Sequence, residues 1–349
     1  FINIYEGNSN GQRVGRFVPF TDNGTIAKSC KFNDADSSQL SKTPSGAGNR
    51  RTFTFSVWLK RGTLTGAEQY ILSASNSASS TKYDFIYFDT DNCIRIQHHN
   101  GSSVEGQLKT NRTFEDTSKW YHLVYRCDTT QSTATDRMRL YIDGDEITSF
   151  SIDTNPSQNY DTDINDATLQ SIGKPGWHDG VYFDGYMAEV NLADGTSYGP
   201  DTFGVTDTST GRWIPKSLGS ITYGTNGYRL TFANSAGQTI GDDTSGNGND
   251  YSVSNLAVEN VTTDSPTQNY PTLSPFVTAN APTLSEGNLR ALMTSDTNEK
   301  IGIMDKIFAD DPRYGTADKR TAFSDGMGNA MIFWKGKPYY VNKPGFSEI

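Results

Sequence analysis

The groups in this chain that could do chemistry are hydroxyls, imidazoles and carboxylates, and most stand in turn-like surroundings. Gly195-Thr196-Ser197-Tyr198-Gly199 has the Gly-x-Ser-x-Gly spacing of a nucleophile elbow. That chemistry needs a strand-to-helix turn, with His and Asp partners arriving from loops. The residues around Ser197 read as strand and loop, so the spacing is taken as a coincidence. Zinc needs three or four converging ligands, and neither His98-His99 at a strand end nor His122 within a strand belongs to such a cluster. The densest acidic groupings, Asp143-Gly144-Asp145-Glu146 and Asp84 with Asp89 and Asp91, read as a hairpin turn and a loop edge. One loop has the chemistry of sugar recognition. Gly173 to Tyr182 offers Trp177, His178, Asp179 and Tyr182, aromatic faces for the apolar side of a sugar ring and polar groups for its hydroxyls. These four are the expected glycan-binding residues; the alternative is that Trp177 folds back to cap the fold. No catalytic residue is assigned.

The elements that must position these residues are strands. Trp120 to Gly144 holds two of them. Tyr121, Leu123, Tyr125 and Cys127 alternate with Trp120, His122, Val124 and Arg126, and Met138, Leu140 and Ile142 alternate with Arg139, Tyr141 and Asp143, the period of two expected of β-structure. Asp143-Gly144 supplies the positive-φ pair of a tight hairpin turn. Thr52 to Lys60 places Phe53, Phe55, Val57 and Leu59 on one face and is expected to be a central strand. Further strands are expected at 26–32, 69–74, 83–88, 93–98, 107–110, 146–152, 168–172 and 181–192, each bounded by Gly, Ser, Asn or Asp, with a bend or bulge at Gly185. Such spacing indicates an all-β, antiparallel sandwich.

Composition agrees. The 349 residues include 33 Gly, 18 Phe, 18 Tyr and 5 Trp, with a mean hydropathy of -0.61, so aromatics carry much of the packing in a polar, turn-rich chain. A net charge of -10 argues against nucleic acid as a partner, since phosphate binding needs clustered Lys and Arg. No apolar run approaches the ~18 residues of a membrane span. Cys30, Cys93 and Cys127 are odd in number and widely spaced, and are expected to be free core thiols made in a reducing cytoplasm. The chain begins at Phe1 without an initiator Met, so it is expected to be either a processed product or part of a longer chain.

Several stretches, taken in order, carry a resemblance. They are Ser37-Ser38-Gln39-Leu40, Phe53 to Leu59 with Trp58, Trp120-Tyr121-His122, Leu140 to Gly144, Ile172-Gly173 and Phe183-Asp184-Gly185-Tyr186-Met187-Ala188-Glu189-Val190. Together they resemble the laminin-G/concanavalin A-like lectin and glucanase superfamily over roughly residues 25 to 195. Their wording, with Asp243 to Asp250 and Asp264-Ser265-Pro266-Thr267, is similar to versions in structural proteins of tailed, marine phages. The resemblance implies a jelly-roll sandwich of two antiparallel sheets, and for His122 a packing role at the family's Trp-x-His position. It also implies a test for glucanase activity, and the Glu-x-Asp-x-Glu arrangement of that branch is absent. No cofactor is called for; calcium is the one metal that the resemblance admits, with Asp161, Asp163 and Asp166 as expected ligands, or Asp242, Asp243 and Asp250.

The expected division is an arm at 1–24, the sandwich at 25–200, a loop-rich extension at 201–285 and an attachment region at 286–349. In the last, nine basic and nine acidic residues balance; it is expected to hold a short helix around Ile301 to Phe308 and a hairpin at Met331 to Val341. The resemblance implies a non-enzymatic virion protein, a decoration, fibre or tail-associated subunit. Its expected partners are other virion proteins, further copies of itself and host-surface glycans. A virion polysaccharide hydrolase and a bacterial surface lectin are the alternatives.

Overall fold

The structure is a computed structural model that describes residues 24–64, 66–75, 81–176, 180–208, 210–233 and 239–270, and beyond them the backbone of five short strands. The chain opens with β1 (Ser29–Phe32), β2 (Gln39–Lys42), β3 (Thr52–Arg61), β4 (Gln69–Ser75), β5 (Lys82–Phe88) and β6 (Cys93–Asn100). It continues through β7 (Val104–Thr113), β8 (Tyr121–Asp128), β9 (Met138–Ile142), β10 (Asp145–Glu146), β11 (Phe150–Thr154), β12 (Leu169–Ile172) and β13 (Gly185–Asp194). The extension adds β14 (Gly204–Thr206), β15 (Trp213–Pro215), β16 (Tyr228–Leu230), β17 (Ser252–Ser254) and β18 (Val261–Thr262).

Sixteen of these strands make two eight-stranded antiparallel sheets, and β14 and β15 pair with each other. The first runs β10-β9-β8-β3-β13-β1-β18, with β16 also on β13; the second runs β11-β7-β6-β5-β4-β12-β2-β17. Residues of the extension therefore close both sheets, through β16 and β18 in one and β17 in the other. Inward-facing Phe53, Phe55, Val57, Leu59, Leu123, Tyr125, Leu140 and Met187 of the first sheet meet Leu40, Leu72, Ile86, Phe88, Ile94, Ile96 and Ile172 of the second in one buried core. The fold is an all-β jelly-roll sandwich, and the alternation of β3 and β8 sets its inner face as the sequence implies. Asp143 (φ 54) and Gly144 (φ 87) form the turn into β10. Cys30, Cys93 and Cys127 are buried free thiols.

Two local expectations are corrected. The bulge in β13 lies at Glu189, not at Gly185: pairing with β3 slips between Ala188 and Asn191, and Glu189 takes φ 50. Its carboxylate is thereby turned to Arg229 of β16, 2.5 Å away. Gly185 serves close approach instead, since a Cβ there would fall 2.2 Å from the Lys60 carbonyl. The strand expected at 146–152 is two strands in different sheets, because β10 pairs with β9 while β11 pairs with β7 and Ile147 packs onto the core between them.

Beyond residue 270, β19 (Thr283–Ser285) pairs with β20 (Arg290–Leu292), and β21 (Ala330–Trp334), β22 (Lys337–Asn342) and β23 (Gly345–Glu348) form a three-stranded antiparallel sheet. The helix expected at 301–308 lies outside the described residues.

Candidate functional site

The second sheet has an outer face that is unusually aromatic. On β5, Asp84, Ile86 and Phe88 point into the sandwich, which leaves Tyr83, Phe85 and Tyr87 on the other side with Tyr70 of β4. Cross-strand register brings Tyr70 opposite Tyr87, and the two rings stack at 4.8 Å. Tyr83 stacks on Phe85 at 4.3 Å and on His99 at 4.9 Å. The next strands supply polar neighbours at the same level: Arg95 opposite Tyr87, Gln97 opposite Phe85, and Gln107 opposite Gln97. Arg95 bonds Asp89 at 3.2 Å, and Lys109 bonds Asp89 at 2.9 Å and Asp91 at 2.8 Å.

Tyr70, Phe85 and Tyr87 are themselves buried, so this cluster is a floor rather than an open platform. At its edge lies a pocket of about 290 Å³ lined by Asp34, Ala35, Ser37, Ala67, Glu68, Gly180, Val181 and Tyr182. Glu68 accepts the Tyr70 hydroxyl at 2.7 Å, and Val181 packs against the aromatic cluster; both tie the pocket wall to the floor. The Tyr182 ring stands under the Lys174 ammonium, 5.6 Å away. The side chains that reach this space are two carboxylates, a hydroxyl and a phenol. Such a pocket suits hydroxyl and amine donors and repels anions.

Of the four residues expected to bind glycan, Tyr182 therefore lines a pocket, while Trp177, His178 and Asp179 lie outside the described residues. The three aspartates named for calcium are each engaged by basic side chains. Asp161 pairs with Arg51 at 2.7 Å, Asp166 with Arg50 at 3.1 Å, and Asp163 with both Arg50 and Lys82. Burial, then the neighbouring Asp84, push the Asp163 carboxyl up to about 6. In the alternative set, Asp243 accepts the backbone N–H groups of Arg229, Ser245 and Asn249 as well as the Ser245 hydroxyl. Asp250 accepts the N–H of Asp243, and Asp242 the N–H and hydroxyl of Thr239. These carboxylates hold a loop together with protein donors.

His122 is buried beside Ser56 and would be the natural place to look for an activated nucleophile. The Trp213 indole N–H donates to its Nδ1 at 2.9 Å. Burial pushes the ring's pKa down to about 3, so it is neutral, and its single proton sits on Nε2 facing Ser56 Oγ at 2.9 Å. In this tautomer the imidazole donates to the serine and cannot accept its proton. Stacking on Trp58 at 4.4 Å completes the packing role. Ser197 accepts the Arg126 Nε–H at 2.5 Å, and among the described residues no imidazole is hydrogen-bonded to it. His98 joins Asp84 (2.6 Å) and Tyr125 (2.7 Å) in a fully buried chain that links the two sheets. Asp84 also caps the backbone N–H groups of Asp163 and Ile164.

Sequence reasoning missed the pocket's other wall. Glu68 and Asp34 are ordinary turn residues by sequence, and only the return of the 180–182 loop brings them together. The aromatic floor did leave a signal, since Tyr83, Phe85 and Tyr87 at every second position mark β5 as apolar on both faces.

Residues 34–197 match the family model described as the Concanavalin A-like lectin/glucanases superfamily. No curated protein matches the chain. Among solved structures, the heptameric SAP-like pentraxin of Limulus polyphemus is 17% identical with a TM-score of 0.36, over 50% of this chain and 79% of that one. Domains LG4-5 of mouse laminin alpha1 are 13% identical with a TM-score of 0.33, over 55% of this chain and 46% of that one. Domain 4 of an extracellular arabinanase from Geobacillus stearothermophilus, solved with arabinotriose, is 17% identical with a TM-score of 0.36, over 50% and 75%.

Proposed function

We propose that this chain is a non-enzymatic, lectin-like protein that takes a neutral or amino sugar into the pocket between Asp34, Glu68 and Tyr182. The observation that carries the reading is that pocket: it is walled by carboxylate and hydroxyl acceptors and backed by a rigid aromatic floor. Fixed acceptors and an aromatic ring meet the two sides of a sugar, its hydroxyls and its C–H face. An acidic wall disfavours sialylated or sulfated glycans. The neutral His122 that donates to Ser56 supports a binding rather than a hydrolytic role.

The finer reading is a virion subunit, a decoration, fibre or tail-associated protein, and it rests on the order of the sequence stretches similar to phage structural proteins. Many copies on one particle would turn weak single-site binding into useful avidity. A glycan array probed with the intact protein tests the pocket. Binding to neutral or amino sugars, lost in Glu68→Gln and Tyr182→Ala, is expected; equal binding by the variants would remove the pocket from the reading. Trp177→Ala on the same array tests the remainder of the loop. Release of reducing sugar from a bound polysaccharide would replace the lectin with a hydrolase. Co-purification with intact particles at a fixed copy number is expected of a virion subunit, and its absence from purified particles would overturn that role.

A further inference from the structure

On the outer face of the first sheet a buried amine meets a carboxylate and a carboxamide. In β3, Leu59 points into the core, so Lys60 points the other way, directly across from Tyr186 of β13. Its side chain is wholly buried, with the ammonium 5.7 Å from the Tyr186 ring. Trp58, Trp120 and Tyr186 make the apolar cluster on this face. The chain that follows β18 supplies the partners. Asp264 is buried and sets Oδ2 at 2.9 Å from Lys60 Nζ, while the Trp120 indole and the Tyr270 N–H hold its other oxygen.

The chain then turns back on itself at the bridge between Ser265 and Gln268, which returns Asn269 to the same nitrogen. Asn269 Oδ1 lies 2.8 Å from Lys60 Nζ, and its Nδ2 donates to the Ser118 carbonyl at 2.8 Å, so the amide is held at both ends. A C=O bond of about 1.23 Å puts its Cγ no more than roughly 4 Å from Nζ. The hydrogen bond presents the edge of the amide; a turn about Cβ–Cγ presents its face at the ~3–3.5 Å of an attacking pair. Burial lowers the Lys60 pKa, which brings the nucleophilic free amine within reach, and Asp264 stands where a proton acceptor is needed.

We propose that Lys60 and Asn269 condense in the folded chain to an isopeptide bond, with Asp264 carrying the protons. Asp264 takes a proton from the ammonium, and the freed lone pair of Nζ forms a bond to Asn269 Cγ as the carbonyl pair moves onto Oδ1. Asp264 gives its proton to Nδ2 and takes the second one from Nζ. The carbonyl then re-forms, and the Cγ–Nδ2 bond breaks with its electron pair on the departing ammonia, which leaves as ammonium with the proton that Asp264 returns. Nothing is oxidised or reduced. Asn269 is exposed, so the ammonia has a way out. The bond closes a loop between residues 209 apart in sequence and fastens the end of the extension, whose strands β16, β17 and β18 complete both sheets, to the central strand β3. The ion pair of Lys60 and Asp264 is the reactant of this step, so its strength is measured on uncondensed chain, identified by mass.

Intact-mass spectrometry of the full chain, followed over days at neutral pH, tests the bond. A species lighter by about 17 Da, one ammonia, is expected to accumulate. Tryptic digestion of that species is expected to yield residues 52–61 joined to residues 230–290, the peptides that carry Lys60 and Asn269. Asn269→Ala and Asp264→Asn are each expected to keep the full mass. Because Asn269 lies at the surface, Asn269→Ala is expected to fold even if Asp264→Asn does not, and circular dichroism checks both. A wild-type chain that keeps its mass and gives the two peptides separately would overturn the proposal and leave Lys60 in a plain ion pair. An ammonia loss that persists in Asn269→Ala would overturn it as well, by placing the loss at another side chain.

Discussion

Replacing Asp264 by Asn is expected to destabilise the sandwich strongly at neutral pH and far less at alkaline pH. Lys60 of β3 is fully buried, and its ammonium donates to Asp264 Oδ2 at 2.9 Å, Asn269 Oδ1 at 2.8 Å and the Tyr270 carbonyl at 2.8 Å. Asp264 in turn accepts the Trp120 indole N–H at 3.1 Å and the Tyr270 N–H at 3.2 Å. Burial lowers the Lys60 pKa, and Asp264 opposes that drop. Asp264→Asn keeps the size and removes the countercharge, a change that costs about 3–5 kcal/mol in a buried pair. The lysine has an escape, since it can fold in its neutral form. Shedding a proton at pH 7 from a group with an unfolded pKa near 10.4 costs roughly 4–5 kcal/mol, and about 1.4 kcal/mol less for each pH unit above that. The penalty is therefore capped at about 4.6 kcal/mol at pH 7 and about 2 kcal/mol at pH 9. The sign follows from proton binding: between the folded and unfolded pKa values the unfolded chain holds the extra proton, so stability rises with pH. Urea unfolding of the full chain at the two pH values, followed by tryptophan fluorescence, measures it. A loss under about 1 kcal/mol at pH 7, or an equal loss at both, would refute a buried, charge-compensated Lys60.

Two further outcomes follow from the same structure. Because the folded pKa of His122 is pushed down to about 3, its ring is expected to show no NMR titration between pH 5 and 8. Below about pH 6.5 the unfolded chain takes up a proton that the folded ring refuses, so this group's contribution is fully present above that pH and declines toward pH 3; a midpoint near 6 would contradict the desolvated environment assigned to the ring. Gly144→Ala is expected to lower the melting temperature by several degrees, a loss of about 1–2 kcal/mol or more. Its φ is 87, and a Cβ there would fall 2.4 Å from the Trp213 ring. A wild-type melting temperature with unchanged tryptophan emission would mean that Trp213 does not lie on the turn.

The sandwich was legible because its signals are local. Phe53, Phe55, Val57 and Leu59 share a face whatever lies opposite, since successive side chains of a strand point to opposite sides, and Asp143-Gly144 specifies its own turn. The Trp177 loop drew attention by composition, and only Tyr182 of its four named residues lies among those described. Asp161, Asp163 and Asp166 show the limit of such reading: their grouping is visible in the chain, but their arginine and lysine partners come from residues 50, 51 and 82.

What the sequence alone determined, then, is the alternation of the strands, the hairpin turn and hence the class of fold. What tertiary structure decided is the long-range pairing of polar groups: Lys60 with Asp264, Asp163 with Arg50 and Lys82, and the His122 Nε2 proton directed at Ser56. The physical reason is range. A strand's faces follow from the geometry of neighbouring residues, whereas a carboxylate's role depends on which charge or donor the fold carries to within 3 Å of it, and partners such as Lys60 and Asp264 are 204 residues apart.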